Sequence, residues 1–150
     1  MPQSLACVLL HVVFSTKNRA PLITPKLETE LFPYMATCAK ELNSPALAIN
    51  GTDDHVHMLM ALSRTVTIAD WVEHVKNGSS KFVKTKGPKF SNFYWQSGYG
   101  AFSLGRSQEK EIKTYIARQK TRHRKQSFQD EYRELLKRYE VEYDEKYVWD

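Results

Sequence analysis

The alternation of apolar and polar positions along the chain predicts four strands. Leu5 to Phe14 is an almost continuous apolar run, typical of a central strand that is covered on much of both faces. Residues 46–49 and 55–62 predict two further strands joined by a hairpin around 51–53. An aromatic segment interrupted by glycines, 93–104, predicts the fourth strand, and its glycines indicate bulges or close backbone approach.

Apolar residues at helical spacing predict four helices. Thr24 and Thr67 are suitable N-caps for the first two, and Ser107 for the third. The predicted ranges are 24–42, 67–86, 107–123 and 128–139. The resulting order, β-α-β-β-α-β followed by helices, is the ferredoxin-like arrangement. We therefore expect an α+β, RRM-like domain over residues 1–150. It would have a four-stranded antiparallel sheet, helices on one face, and a further C-terminal helix plus tail.

Two histidines occupy alternate positions in the predicted third strand. Successive side chains of a strand point to opposite faces, so His55 and His57 lie on one side, about 7 Å apart. Apolar residues on the other side predict a core-facing surface: Val56, Met58, Met60 and Leu62. Two imidazoles that converge on the open face of a sheet are suited to bind one metal ion.

The predicted third helix offers a further ligand and a reacting group. Tyr115 and Gln119 are spaced i, i+4, so they lie on the same helix face. The Gln119 carbonyl oxygen suits a hard divalent cation, and Tyr115 can attack a phosphodiester that a metal has polarised. A His, His, Gln set favours Mg²⁺ or Mn²⁺, although imidazoles also accept Zn²⁺.

The charge of the chain is uneven. The formal net charge is +5, and eight lysines and arginines lie between Arg106 and Lys125, opposed by Glu109 and Glu111 alone. This block is either a solvated basic helix face or a surface that contacts phosphates. No apolar run reaches the length of a membrane span, and no secretory signal is expected. We expect Cys7 and Cys38 to be buried thiols, and the protein to be cytoplasmic.

Taken together, these motifs resemble the single-tyrosine HUH transposases of the smallest bacterial insertion sequences and their REP-associated relatives. The HUH motif corresponds to His55-Val56-His57, and the Tyr-x-x-x-Gln motif to residues 115–119. Further similarities lie in four segments: 13–19, 95–99, 128–132 and 142–149. The resemblance extends in order over nearly the whole chain.

The resemblance implies a DNA transposase that acts on single-stranded DNA with terminal hairpins. Tyr115 would form a 5′-phosphotyrosine link, while His55, His57 and Gln119 would hold Mg²⁺ or Mn²⁺. The family works as homodimers, often with the tyrosine helix reaching the partner's histidines, and one chain leaves open which arrangement holds here. Charge and position add candidate DNA contacts: Lys17, Arg19, Lys113, Arg118, Lys120 and Arg122.

Other interpretations stay open at the level of sequence. A non-catalytic, RRM-like binder of single-stranded nucleic acid would stack bases on sheet aromatics, for which Trp95 and Tyr99 are candidates. A phosphoesterase that uses metal-activated water would not depend on Tyr115. We expect His11 and His74 to be structural or surface residues. His123 lies two turns after Tyr115 and could approach the same site, but a position at the surface or facing DNA is favoured.

Overall fold

The computed structural model describes residues 2–150 and contains a four-stranded antiparallel sheet. The strands are β1 (Leu9–Ser15), β2 (Ala46–Gly51), β3 (His55–Ala61) and β4 (Gly100–Leu104). They lie in the order β2-β3-β1-β4, which is the ferredoxin-like order. The α+β prediction is therefore confirmed, and the histidine strand β3 is central as expected. Among the described residues, no helix is both long and apolar enough to cross a membrane.

Within residues 2–150, five α-helices accompany the sheet. Their ranges are α1 (Pro25–Glu41), α2 (Ile68–Lys84), α3 (Glu109–Ala117), α4 (Gln119–Arg122) and α5 (Phe128–Arg138). The predicted N-caps of the first two are confirmed, because the Thr24 and Thr67 side chains accept from backbone N–H groups of their first turns. Capping satisfies donors that have no partner within the helix.

One sheet face forms the main core with α1 and α2. Val12 and Phe14 of β1 and Met58 of β3 are fully buried there, together with Leu31 of α1 and Trp71 of α2. The alternation of β3 places Val56, Met58 and Met60 on this face, and His55 and His57 on the other. Burial of the apolar face thus fixes which way the histidines point.

The second sheet face is covered by the C-terminal helices. A smaller apolar cluster joins Val13 of β1 and Phe102 of β4 to four side chains of α5: Phe128, Tyr132, Leu135 and Leu136. The sequence predicted this face to be open to the approach of the third helix. The structure covers it so completely that His55 and His57 are both fully buried.

The predicted third helix, 107–123, is divided in the structure. A short 3₁₀ turn at Arg106–Gln108 precedes α3, so Ser107 is not its N-cap. α3 ends at Ala117, and α4 begins after Arg118. The Asn50 side chain donates to the carbonyls of Ile116 at 3.0 Å and Ala117 at 3.2 Å, which explains the break. These are the carbonyls that a continuous helix would use for its own ladder.

The predicted fourth strand is shorter than its sequence range of 93–104. Only Gly100–Leu104 forms a regular strand, and before it a single bridge joins Trp95 to Thr16. The Lys76 ammonium group donates to the carbonyls of Gln96 and Gly98 at 2.7 and 2.6 Å, which holds this segment irregular. The prediction that both cysteines are buried is wrong for Cys7, which is exposed, and correct for Cys38.

Candidate functional site

His55 and His57 are the first two residues of the site, and the Nδ1 atom of each ring contacts a neighbouring side chain. His55 Nδ1 lies 2.8 Å from Asp54 Oδ1 and 2.9 Å from Thr52 Oγ1, in the turn that precedes β3. His57 Nδ1 lies 2.7 Å from Nε2 of His11 on β1. Both rings therefore use Nδ1 for a supporting contact and direct Nε2 inward. Supporting contacts of this kind orient histidines that bind metals.

Tyr115 and Gln119 approach the same histidines from the opposite side. The Tyr115 ring centroid is 5.9 Å from that of His57, and Gln119 Oε1 is 3.2 Å from His55 Nε2. Gln119 is fully buried, whereas Tyr115 is half-buried. Asn50, which faces His57 across the β2–β3 ladder, binds the end of α3 and thereby fixes Tyr115 above the sheet. The structure thus brings together Tyr115, Gln119 and both predicted histidines.

A carboxylate on α5 lies where these side chains meet. Glu131 Oε1 is 3.0 Å from His57 Nε2, while Oε2 accepts from Gln119 Nε2 at 2.9 Å. The Tyr115 hydroxyl also donates to Oε2. Glu131 is almost fully buried, with an exposed fraction of 1%. One carboxylate therefore connects the two histidines, the glutamine and the tyrosine of the sequence motifs.

His123 completes a group of four possible metal ligands. Its Nε2 lies 2.8 Å from Glu131 Oε1. One ligand atom from each of His55, His57, His123 and Glu131 lies within 4.8 Å of the others. Three imidazole nitrogens and a carboxylate oxygen form a donor set that first-row divalent metals accept. These residues could bind a metal ion.

Burial and the Glu131 carboxylate give the histidines of the site different pKa values. Burial lowers the pKa of His55, but hydrogen bonds with Asp54 and Glu131 outweigh it and raise that pKa to about 9. His57 is more deeply buried, and desolvation lowers its pKa to about 4 despite Glu131. Burial, together with His57, lowers the pKa of His11 to about 3. Of these three histidines, His55 is therefore the one that is protonated at neutral pH when no metal is bound.

The pKa values of Tyr115 and Glu131, which share a hydrogen bond, are shifted in opposite directions. Burial raises the pKa of the Tyr115 hydroxyl above its ordinary value, and the nearby Glu131 carboxylate adds to this effect. Burial would raise the pKa of Glu131, but hydrogen bonds from His123, His55 and His57 hold it far below its usual range. The tyrosine is therefore protonated and the glutamate ionised in this state.

Because Glu131 can only accept hydrogen bonds, neutral His57 donates to it through Nε2 and accepts at Nδ1 from His11. A metal bound at His57 Nε2 would require the other tautomer, in which Nδ1 donates to His11. The His11 ring nitrogen can serve as either partner, so it accommodates both states.

The six basic residues predicted to contact DNA have different surroundings. Lys120 pairs with Glu28, whose carboxylate lies 2.6 Å from its Nζ, and Lys113 pairs with Glu109 at 2.8 Å. Arg19 lies over the Trp149 ring, and Arg122 over the Tyr115 ring. Lys17 and Arg118 are exposed, and neither makes an ion pair within the described chain.

Sequence reasoning missed three residues of the site, and two of them carry a detectable signal. Glu131 lies in the apolar stripe of α5, three residues after Phe128 and four before Leu135. A carboxylate in a buried stripe requires a partner, and that requirement points to a site. His11 interrupts the apolar run of β1 in the same way. His123 was expected at the surface or facing DNA, and its spacing of two turns from Tyr115 allowed an approach to the site without favouring it.

Comparison with protein families gives one match. The family model described as Transposase IS200 like matches residues 5–119, which include the two histidines, Tyr115 and Gln119. The match ends before His123 and Glu131. No curated protein matches the chain.

Two of the solved structures that share the fold illustrate the similarity. One is a Deinococcus radiodurans R1 protein provisionally designated a transposase, with 20% identity and a TM-score of 0.62. That alignment covers 79% of this chain and 98% of the other. The second is a REP-associated tyrosine transposase bound to a REP hairpin, with 12% identity and a TM-score of 0.61. It covers 82% of this chain and 72% of the other.

Proposed function

The chain belongs to the IS200-like transposase family, and we propose on that basis that it cleaves and rejoins single-stranded DNA through a covalent link to Tyr115. The observation that carries this proposal is the position of Tyr115. Its hydroxyl donates to Glu131, and the same carboxylate lies 3.0 Å from His57 Nε2. The nucleophile and the candidate metal ligands thus belong to one connected group.

His55, His57 and Glu131 are the residues that would hold a divalent cation, with Gln119 or His123 as a further ligand. Support comes from the donor set and from the contacts of Asp54 and His11 behind the two rings, which leave both Nε2 atoms available. Mg²⁺ or Mn²⁺ bound there would polarise the phosphate and offset the charge that develops on it. Gln119 faces His55 through its carbonyl oxygen, as a ligand would.

In the proposed reaction, the Tyr115 oxygen attacks a backbone phosphorus, and the bond from phosphorus to the 3′ oxygen breaks. The tyrosine proton leaves along the hydrogen bond to Glu131, and the departing 3′ oxygen takes up a proton. The products are a 5′-phosphotyrosine and a free 3′-OH. Attack by a 3′-OH on the phosphotyrosine reverses the step and joins strands without an external energy source.

We propose single-stranded DNA next to hairpins as the substrate class. The net charge of +5 is suited to a polyanion, and one structural relative is a tyrosine transposase bound to a REP hairpin. A base-stacking function is less well supported, because Trp95 is buried in the main core and Tyr99 packs against it. The face that an RRM-like binder would expose is covered by α3 and α5.

Covalent trapping tests the proposal. The protein would be incubated with Mn²⁺ or Mg²⁺ and labelled single-stranded oligonucleotides that carry hairpins from the flanks of its own gene. We expect a protein–DNA adduct on denaturing gels, and its loss in Tyr115→Phe, because the substitution removes only the attacking oxygen. Tyr34→Phe is the matched control, since Tyr34 is partly exposed on α1 and stacks on Phe82 away from the site.

The alternatives give different results in the same assay. Cleavage that persists in Tyr115→Phe would contradict the proposal and indicate metal-activated water. Tight DNA binding without an adduct, under conditions in which the protein also binds the metal, would instead support a binding protein.

A further inference from the structure

Arg122 lies against the candidate nucleophile and has an unused hydrogen-bond donor. Its guanidinium carbon is 4.4 Å from the centroid of the Tyr115 ring. Its Nε is 3.8 Å from Glu131 Oε2, which is longer than a hydrogen bond. Within residues 2–150, this Nε is one of two buried side-chain polar atoms without a hydrogen-bond partner. Buried donors are almost always satisfied, so an unsatisfied one beside a nucleophile suggests an acceptor that arrives with the substrate.

A cationic groove leads to Arg122 from the surface. It has a volume of about 320 Å³ and is lined by Arg118, Thr121, Arg122, Lys125 and Gln126. No acidic residue of the described chain lines it. The side chain of Arg122 is 37% exposed, so it contacts both this groove and the buried site. A groove lined by three cationic and two hydrogen-bonding side chains, without carboxylates, suits a phosphodiester backbone.

We propose that Arg122 is a catalytic residue that binds the non-bridging oxygens of the phosphate attacked by Tyr115, and that the groove delivers this phosphate. The proposal rests on the function proposed above and assigns a separate task to one residue. A guanidinium presents several donors in a fixed plane and binds phosphate oxygens in pairs. From its position over the phenol ring, Arg122 can contact a phosphate at the Tyr115 hydroxyl.

The reaction itself is unchanged by this assignment. The bond between the Tyr115 oxygen and phosphorus forms, the bond from phosphorus to the 3′ oxygen breaks, and the proton passes to Glu131 as before. Arg122 keeps its proton throughout, because guanidinium groups stay charged in proteins. Its contribution is to offset negative charge on the non-bridging oxygens, which increases as the phosphorus is attacked.

The test compares a charged with a neutral phosphate at the cleaved position. Once the wild-type protein has located the cleavage site in an oligonucleotide, the same strand is made with a methylphosphonate there. We expect Arg122→Ala to form adduct about 100-fold more slowly than wild type on saturating phosphodiester DNA, the usual effect of removing one electrostatic contact. On the methylphosphonate, which lacks the charge, the two proteins should react at rates within a few-fold of each other.

Further variants separate charge from folding and from general affinity. Arg122→Lys should retain part of the phosphodiester rate, and Arg118→Ala should weaken DNA binding in EDTA and reduce its salt dependence. Arg138→Ala, at an exposed position near the end of α5, is the control that should change neither measurement. If Arg122→Ala melts at a lower temperature, Arg122→Gln replaces it in the comparison.

The outcomes separate this proposal from the function on which it rests. Equal losses of rate on both substrates would overturn the role of Arg122 in binding the phosphate. Wild-type rates in Arg122→Ala would do the same. Adduct formation that persists in Tyr115→Phe would instead overturn the proposed function itself.

Discussion

At the scale of single residues, the protonation of the site depends on how the Glu131 carboxylate contacts its histidine neighbours. Glu131 faces His55 and His57, which differ in their depth of burial and in the residue that contacts Nδ1. Asp54 supports a proton on His55, whereas His11 is itself neutral and gives His57 no such support. The same strand therefore holds one charged and one neutral imidazole in the metal-free protein.

This difference predicts how metal binding depends on pH. The folded-state pKa of His55 is raised to about 9, so His55 is protonated at pH 7, and a cation must displace that proton. We expect the affinity for Mn²⁺ to rise by up to about tenfold per pH unit between pH 6.5 and 8.5. His57, with a pKa of about 4, is already deprotonated over this range and adds nothing to the slope. Calorimetric titration across this range measures the effect.

The control for this measurement is His74→Gln. His74 is exposed and pairs with Glu41, so its removal should leave the slope unchanged. The same proton binding predicts that His55 stabilises the metal-free fold below pH 6.5 and loses this effect as the pH rises through 9. An Mn²⁺ affinity that is flat between pH 6.5 and 8.5 would show that His55 is neutral or is not a ligand.

At the scale of elements, the position of α5 decides whether Glu131 reaches the histidines. α5 rests on β1 and β4 through Tyr132 and its apolar neighbours, and this packing requires Gly100 on β4. A Cβ atom at position 100 would lie 2.8 Å from Tyr132 Cε2 and 3.0 Å from Phe102 Cε2. Glu131 is the residue next to Tyr132, so any shift of the ring is transmitted to the site.

Gly100→Ala is therefore expected to impair stability and activity together. We expect a loss of about 1–3 kcal/mol in the free energy of unfolding, as for other overpacked cores. Metal affinity and the rate of adduct formation should also fall as α5 moves outward. Denaturant unfolding and the trapping assay measure the two effects.

The matched variant is Gly78→Ala, whose Cβ atom would lie 2.7 Å from Cys38 Sγ, between α1 and α2. It perturbs packing on the other side of the sheet and should leave the activity of the folded protein unchanged. Equal activity in Gly100→Ala and wild type would show that α5 does not have to be held in this position.

Elements with a regular period could be predicted from the sequence, and those set by long-range contacts could not. The period of β3 predicted the shared face of His55 and His57, and the i, i+4 spacing placed Tyr115 beside Gln119. The break after Ala117 depends on Asn50, which is 66 residues away from Ile116 in sequence. The irregular path of residues 93–99 likewise depends on Lys76. Side-chain contacts between distant segments leave no periodic signal.

The same reasoning explains why the sequence did not predict Glu131 as a candidate ligand. The motifs predicted His55, His57 and Gln119 because these residues are close within two elements. Glu131 joins them only when α5 packs on the sheet, and that docking is a property of the folded chain.

At the scale of the whole molecule, one chain contains every part of the candidate site. Tyr115 lies beside the histidines of its own chain, and Glu131 connects them. The resemblance also allowed the other arrangement, in which the tyrosine helix reaches a partner subunit. With Tyr115 in this position, we expect it to act within its own chain, and the homodimer stays a prediction.

Complementation between two inactive variants tests whether Tyr115 acts within its own chain. Tyr115→Phe lacks the nucleophile and His57→Ala lacks a metal ligand, so a mixture can be active only if one chain's tyrosine serves the other's histidines. We expect no recovery of adduct formation after the two variants are mixed and refolded together. Recovery to a substantial fraction of wild-type activity would show that the tyrosine acts on a partner chain.

The central claim is that Tyr115 becomes covalently bound to DNA, and the most direct measurement is the identity of the linked residue. Trypsin cleavage after Lys113 and Arg118 releases residues 114–118, in which Tyr115 is the single tyrosine. After nuclease digestion of the trapped adduct, mass spectrometry should find this peptide with a 5′-nucleotide attached to Tyr115. A nucleotide on another residue, or a free 5′-phosphate on the DNA with the peptide unmodified, would contradict the account.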